Sequence, residues 1–368
     1  MKLVHFILDN KFTVNVFENF DCVKNVDNKY VCLLNRDQSS VQYISDEYED
    51  VIYLKLKDIK SIEYLLDEAT YIIIHSLNVN HVKFINMYPK LNYVWVGMGF
   101  DYYDMLSNGL FYKYSLKYKR LGSIKSKIKN FIKVDFLFRL KKHKAILNIT
   151  HFSPVLESEY HLLSKKYKHL KYIAWNYGAS AKILNKNMVV DPQGESLLLG
   201  NSADPTNNHY EVLECLHKLQ YKGNIILPLS YGDFKYREKL LSDIYNFDLN
   251  ITPIFDYMDK DEYFDILKKC NVIIMNHRRQ QAASNVFVMM AMGAKVFLNS
   301  DSLLYGFFES NGSAIFNIKD LSIKHLTNDL TIEQKEINKK FILKNFSQDA
   351  IFMRTREFCN RLSKMSER

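Results

Sequence analysis

The chain reads as an α/β protein built of two Rossmann-like domains facing a central cleft. Three observations predict this. Short apolar, β-rich runs alternate with helical patterns along nearly all of the 368 residues. That length suits two domains of roughly 150 to 200 residues each. Small polar turns, several with glycine, follow the strands at the ends where open α/β sheets bind ligands.

Strands are expected at 3–8, 30–34, 51–54, 71–75, 93–97, 145–150 and 172–175, with helical patterns between them such as 59–68 and 157–167. The second half repeats the alternation more clearly. A strand at 196–200 precedes a helix at 208–219, and a strand at 224–228 a helix at 234–245. A strand at 251–255 and a helix at 260–269 come next, then a strand at 271–275 and an uncharged helix at 285–292. Gly293 ends that helix, and 295–299 returns to the sheet. Periodicity fades between about 179 and 194. The expected division is therefore 1–178, 195–346 and a C-terminal amphipathic helix within 347–368.

Hydrophobic residues make up 47% and charged residues 25%, a core-forming balance. Twelve Gly and six Pro are too few for a disordered or collagen-like chain. No apolar run is long enough for a membrane-spanning helix. MKLVHFILDNKF turns polar too soon for a secretory signal and reads as a buried strand. Five scattered cysteines without a CxxC pair support neither a disulfide framework nor a zinc site, and suit a reducing cytosol.

The net charge of +9 is concentrated in one stretch. Residues 111–144 hold twelve Lys and Arg against a single acid, Asp135, so the remainder of the chain is slightly acidic. Phe111, Tyr112, Tyr114, Tyr118, Phe131, Phe136 and Phe138 are interleaved with those cations. An anionic membrane surface would be met by such a segment. A solvated helical face and a nucleic-acid groove remain as alternatives.

Candidate site residues lie at the strand ends. Gly200-Asn201-Ser202 opens a helix, where glycine permits close backbone approach and free N–H groups face a phosphate. Tyr231-Gly232 forms a similar turn. His277-Arg278-Arg279-Gln280-Gln281 offers two guanidiniums and two amides before the buried helix that Asn285 opens, a set suited to a diphosphate or a polar sugar. In the first half, Asp101 is placed either as a general base or as a helix N-cap. His75 and Glu157 are further base candidates, although a lone strand-end His is commonly structural and an early helical Glu is common anyway. Asp259 and Asp261 read as capping residues, so no metal site is expected. GxSxG, P-loop, HExxH and GxGxxG patterns do not occur, which sets aside the common hydrolase, NTPase and dinucleotide readings.

LLLGNSADPTNNHYEVLECL, ILPLSYGD and RQQAASNVFVMMAMGAKVFLN resemble the bacterial 4-acetamido-4,6-dideoxygalactose (Fuc4NAc) transferases that act on undecaprenyl-linked precursors. WVGMGFDYY resembles that family's W-x-x-W-G-x-D-x-Y signature, with Met98 in place of the second Trp. The resemblance is nearly continuous from about 197 to 299 and patchy before that. It implies a GT-B glycosyltransferase that inverts the anomeric centre without a metal or other cofactor. It also implies a TDP- or UDP-linked donor held mainly by the second domain, a lipid-linked saccharide acceptor handled by the first, and a peripheral location on the inner face of the cytoplasmic membrane. In that setting Arg278 or Arg279, with Gln280, Ser202 and backbone N–H groups at the two helix starts, would meet the leaving diphosphate, and Tyr231 would stack on the base or line the sugar pocket. A non-catalytic sugar- or nucleotide-binding protein and a nucleic-acid-binding protein are the rival readings.

Overall fold

The computed structural model describes residues 1–106 (apart from 11, 36, 39, 45–47 and 49), 110, 112, 113, 115, 128–178, 184 and 191–367, with backbone alone at 128–135 and 260. The chain divides into two compact units.

The first unit is a seven-stranded, all-parallel sheet. Its strands are β1 (Lys2–Ile7), β2 (Asp27–Leu34), β3 (Val51–Lys55), β4 (Tyr71–His75), β5 (Tyr93–Val96), β6 (Ile149–Ser153) and β7 (Lys171–Tyr172), in the order β3-β2-β1-β4-β5-β6-β7. Near-continuous runs such as Tyr71–His75 are buried on both faces, as a helix-covered parallel sheet requires. The helices are α1 (Thr13–Asp21), α2 (Glu63–Glu68), α3 (Val79–Met87), α4 (Tyr103–Leu106), α5 (Ile128–Leu147) and α6 (Glu157–Ser164). Two expectations change here. The apolar start of 145–150 finishes α5 instead of forming a strand, and β6 begins only at Ile149. The expected helix at 59–68 is a 3-10 turn, Leu56–Ile62, followed by α2.

The second unit holds a six-stranded parallel sheet. Its strands are β8 (Ser196–Leu199), β9 (Asn224–Pro228), β10 (Asn250–Ile254), β11 (Cys270–Met275), β12 (Lys295–Leu298) and β13 (Phe316–Asn317), ordered β10-β9-β8-β11-β12-β13. Between them run α7 (His209–Lys218), α8 (Phe234–Ile244), α9 (Lys260–Lys268), α10 (Ala283–Ala291) and α11 (Leu303–Ser310), and then α12 (Ile323–Thr327) and α13 (Ile332–Phe346). Asp233 caps α8 through the backbone N–H groups of Lys235 and Tyr236. Asp259 caps α9 in a capping box with Glu262, so the carboxylates there hold a helix start.

The last helix, α14 (Gln348–Ser366), is no separate appendage. It returns to the first unit, where Phe358, Cys359 and Leu362 join the core of β1, β2 and β4, and Trp175 Nε1 donates to Thr355 Oγ1 at 2.9 Å. The basic stretch also divides. Tyr112 and Ser115 group with the second unit, and α5 with the first.

Candidate active site

In the second sheet the chain runs from β8 outward to β9 and β10, then crosses back to lay β11 on the other side of β8. Open α/β sheets bind ligands at such a reversal, here at the carboxyl ends of β8 and β11. Three turns meet there.

Gly200 follows β8 with φ +68, and a Cβ on it would stand 2.6 Å from both Asn207 Oδ1 and His209 Nε2. Asn207 Oδ1 accepts from the Asn201 backbone N–H at 2.9 Å, and its amide donates to the Ser202 carbonyl at 3.1 Å. The turn after β9 is joined to this one through the backbone. Ala203 N–H donates to Tyr231 O at 2.7 Å, and Asp233 N–H to Ala203 O at 3.1 Å. Gly232, at φ +122, sits at that crossing, and a Cβ there would come within 2.7 Å of the Ala203 carbonyl carbon.

The turn after β11 completes the group through side chains. Asn201 Nδ2 donates to Tyr231 OH at 2.8 Å, and Gln281 Nε2 to Asn201 Oδ1 at 3.1 Å. Arg279 Nε donates to Gln281 Oε1 at 2.8 Å, and the Thr206 hydroxyl stands 2.7 Å from that same oxygen. The Arg279 guanidinium lies 3.9 Å from Asp204, and that of Arg278 lies 3.0 Å from Asp301. Gln280 is buried beside them. Beneath the turns, burial pushes the His209 imidazole down to about 3 and holds that of His277 well below its usual range, with the Arg279 charge acting in the same direction on His277. Both imidazoles are therefore neutral, and the positive charge at these turns comes from the guanidiniums. Of the residues singled out in the sequence, Gly200, Asn201, Ser202, Tyr231, Gly232, Arg279 and Gln281 form one connected group. Asn285 is turned aside, donating to Tyr263 OH at 2.9 Å.

The first sheet has its own reversal, between β1 and β4. The candidates around it sit differently. Asp101 is 3% exposed, and both its oxygens are in use. Leu77 N–H and Trp95 Nε1 donate to Oδ2 at 3.0 and 2.8 Å, and Met98 N–H donates to Oδ1 at 2.9 Å. It ties the turn after β5 to the one after β4 and caps no helix. Burial pushes its carboxyl pKa up, while those N–H donors pull it back. His75 is equally enclosed, with Nδ1 at 2.8 Å from Tyr177 OH and Nε2 at 3.1 Å from His5 Nδ1. Burial, with His5 and His81 nearby, keeps it far below the ordinary imidazole range. Glu157, in the first turn of α6, is solvent-exposed and lies 3.7 Å from His161. Its neighbour Glu159 is buried, accepts from Tyr102 OH and Leu156 N–H at 2.8 Å each, and is pushed by burial up to about 7.

Sequence reasoning did not single out Asp9, two residues past β1, which accepts from the backbone N–H groups of Gln42 and Tyr43 at 2.8 Å each. Asn276 and Asn299, directly after β11 and β12, were also missed, although the strand-end rule reaches all three. Tyr112 had no such signal. It lies far away in sequence, yet Asn299 Nδ2 donates to its hydroxyl at 2.8 Å.

Among the described residues no group of three or more His, Cys, Asp or Glu side chains could hold a metal ion, and no helix is long and apolar enough to cross a membrane. On α5, Phe136, Leu137, Leu140 and Leu147 are exposed beside Arg139, Lys141 and Lys144. Lys142, counted with the basic surface from sequence, instead turns inward to Asp104 at 2.9 Å and is 3% exposed. Residues 111, 114 and 116–127 of the basic stretch lie outside the described residues.

Residues 164–342 match the family described as 4-alpha-L-fucosyltransferase, glycosyl transferase group 56. Among solved structures, sucrose-phosphate synthase from Thermosynechococcus elongatus aligns over 99% of this chain and 100% of its own, with a TM-score of 0.66 at 10% identity. The Anabaena protein HepE in complex with UDP aligns over 99% and 100%, with a TM-score of 0.65 at 8% identity. The apo structure of OtsA aligns over 98% of each chain, with a TM-score of 0.61 at 12% identity. At such identities these likenesses establish the fold, which is GT-B.

Proposed function

We propose that this chain, a glycosyltransferase by its GT-B fold and by the match of residues 164–342 to the family described as 4-alpha-L-fucosyltransferase, holds its donor's diphosphate at the carboxyl ends of β8, β9 and β11. One observation carries this reading: three turns from separate strands are tied into one group through Asn201, Tyr231, Gln281 and Arg279 at the sheet's reversal point. HepE, of the same fold, was solved with UDP. Gly200 and Gly232 let the turns approach one another closely at that point, where the buried Ser202 and Gln280 add further polar groups. Arg278 and Arg279 stabilise the charge that builds on the leaving diphosphate, so the bond can break without a bound metal or another cofactor.

The transferred group is an acetamido-deoxyhexose such as Fuc4NAc, and the acceptor a polyprenyl-diphosphate-linked saccharide of surface polysaccharide synthesis. The acceptor hydroxyl attacks the anomeric carbon from the face opposite the diphosphate and inverts it. Its proton passes to a carboxylate of the first unit. Glu157 has the solvent access that this requires, while Asp101 and His75 are fully engaged with partners of their own. The exposed apolar residues of α5, flanked by Arg139, Lys141 and Lys144, rest on the anionic inner face of the cytoplasmic membrane, where such an acceptor presents its head. That face serves lipid; no role with nucleic acid is assigned to it.

The test is transfer from TDP-Fuc4NAc and UDP-linked analogues to a polyprenyl-diphosphate-linked oligosaccharide in anionic vesicles, with chelator present. The reading expects a glycoside of inverted configuration. Retained configuration, dependence on added divalent cation, or transfer only to a soluble acceptor would each overturn the corresponding part.

A further inference from the structure

We propose that Tyr112 is a positioning residue for the donor diphosphate, acting through Arg278; this rests on the donor reading above. The Arg278 guanidinium carbon lies 5.0 Å from the centre of the Tyr112 ring, and its Nη2 lies 3.0 Å from Asp301 Oδ2. The guanidinium is thus held between a π-face and a carboxylate. A planar cation stacked on a ring keeps its N–H groups in plane at its edges, where phosphate oxygens bind them two at a time. The Arg278 side chain remains 30% exposed, and its Nε is buried with no hydrogen-bond partner among the described residues. A donor left in that state costs free energy until an acceptor arrives.

Tyr112 is itself fixed from three directions. Its backbone N–H donates to Asn208 Oδ1 at 3.0 Å, its hydroxyl accepts from Asn299 Nδ2 at 2.8 Å, and that hydroxyl lies 3.4 Å from Asp301 Oδ2. Asn208, Asn276 and Asn299 are buried and bonded to one another at the ends of β11 and β12. Asn208 Nδ2 donates to Asn276 O at 2.9 Å, Asn276 Nδ2 to Asn208 O at 3.2 Å, and Asn299 Nδ2 to Asn276 Oδ1 at 2.8 Å. Close by, Ser115 donates from its backbone and hydroxyl to Glu211 at 3.1 and 2.8 Å. Tyr112 and Ser115 are therefore each tied to the second unit's own residues. Asp301 offsets the guanidinium charge in the free protein, and a diphosphate competes with it for the same cation.

The test is a double-substitution cycle read by calorimetric binding of UDP and dTDP, with circular dichroism confirming the fold of each variant. Arg278→Ala should weaken binding. Tyr112→Ala should weaken it about tenfold in the native background and hardly at all in Arg278→Ala. Tyr112→Phe keeps the ring and should stay within about threefold of the native protein. Tyr112→Leu fills space without a π-face and should behave like Ala. This variant carries the test if Tyr112→Ala fails to fold. Equal losses from Tyr112→Ala or Tyr112→Leu with and without Arg278 would overturn the positioning role and leave the donor site standing. No loss from Arg278→Ala, or no binding of either nucleotide by the native protein, would overturn Arg278 as a donor ligand and the role of Tyr112 with it.

Discussion

Both units are parallel sheets with a reversal point, yet the polar residues gathered there are arranged in opposite ways. In the second unit, side chains from three turns reach one another while Tyr231 and Arg278 keep part of their surface open. In the first unit, Asp101 and His75 are closed in by partners of their own. Nucleotide recognition needs fixed donors with surface left open, and the proposed donor site rests on the turns arranged in that way. The first unit uses its buried polar groups to hold turns in place, leaving Glu157 as the exposed carboxylate among the candidates. Similar strand grammar thus supports two different uses of a strand end.

The sharpest way to break this contrast is at the backbone. Gly232→Ala places a methyl within 2.7 Å of the Ala203 carbonyl carbon at φ +122. Strain and the loss of the turn-to-turn bridge should lower stability by about 2–4 kcal/mol, measured by denaturant unfolding, and abolish nucleotide binding. Next comes Asp101→Ala, which strands three N–H donors in the first unit and should cost about 3 kcal/mol by the same measurement. Nucleotide affinity should hardly change in this variant. By contrast, Glu157→Gln should leave stability within about 0.5 kcal/mol of the native protein and slow transfer by about a hundredfold or more. An inactive but otherwise normal Asp101→Asn beside a fully active Glu157→Gln would reverse the roles assigned to the two carboxylates.

A test of a different kind is pH. Burial holds His5 and His209 at about 3 and His81 at about 4, all below the ordinary imidazole value. The unfolded chain therefore takes up protons that the folded one refuses, and stability should fall as pH drops below about 6.5. Glu159 acts in the opposite sense. Its folded carboxyl holds its proton up to about 7, so stability is lost as pH rises from the ordinary carboxylate range towards 7. Glu159→Gln should accordingly raise Tm near pH 8 and change it little near pH 4. An equal shift at both pH values would show that packing, and not ionisation, governs the site.

Legibility in the sequence divides along the same line. The strands and helices of 196–299 are readable to within a residue or two because each strand is short, apolar and closed by a polar turn. Gly200, Tyr231 and Arg279 stand in the turns that close such strands, which is where a ligand-binding residue is sought first. The first half is harder. At 145–150 an apolar run that finishes α5 looks like a strand, because β-rich composition is shared by buried helix ends and short strands. The partners of Asp101 come from Leu77, Trp95 and Met98, and no local pattern announces that two turns will share one carboxylate. Tyr112 is beyond such reasoning altogether, since its place beside Arg278 depends on the packing of a segment far removed in sequence.

The measurement that bears most directly on the donor site is thermal stabilisation by UDP, dTDP, GDP and ADP, for the native protein and for Arg279→Ala. The account predicts that a uridine or thymidine diphosphate raises Tm, and that the substitution removes most of the rise while leaving the unliganded Tm near its native value. A well-folded native protein unmoved by all four nucleotides, or an Arg279→Ala variant stabilised as fully as the native one, would contradict it.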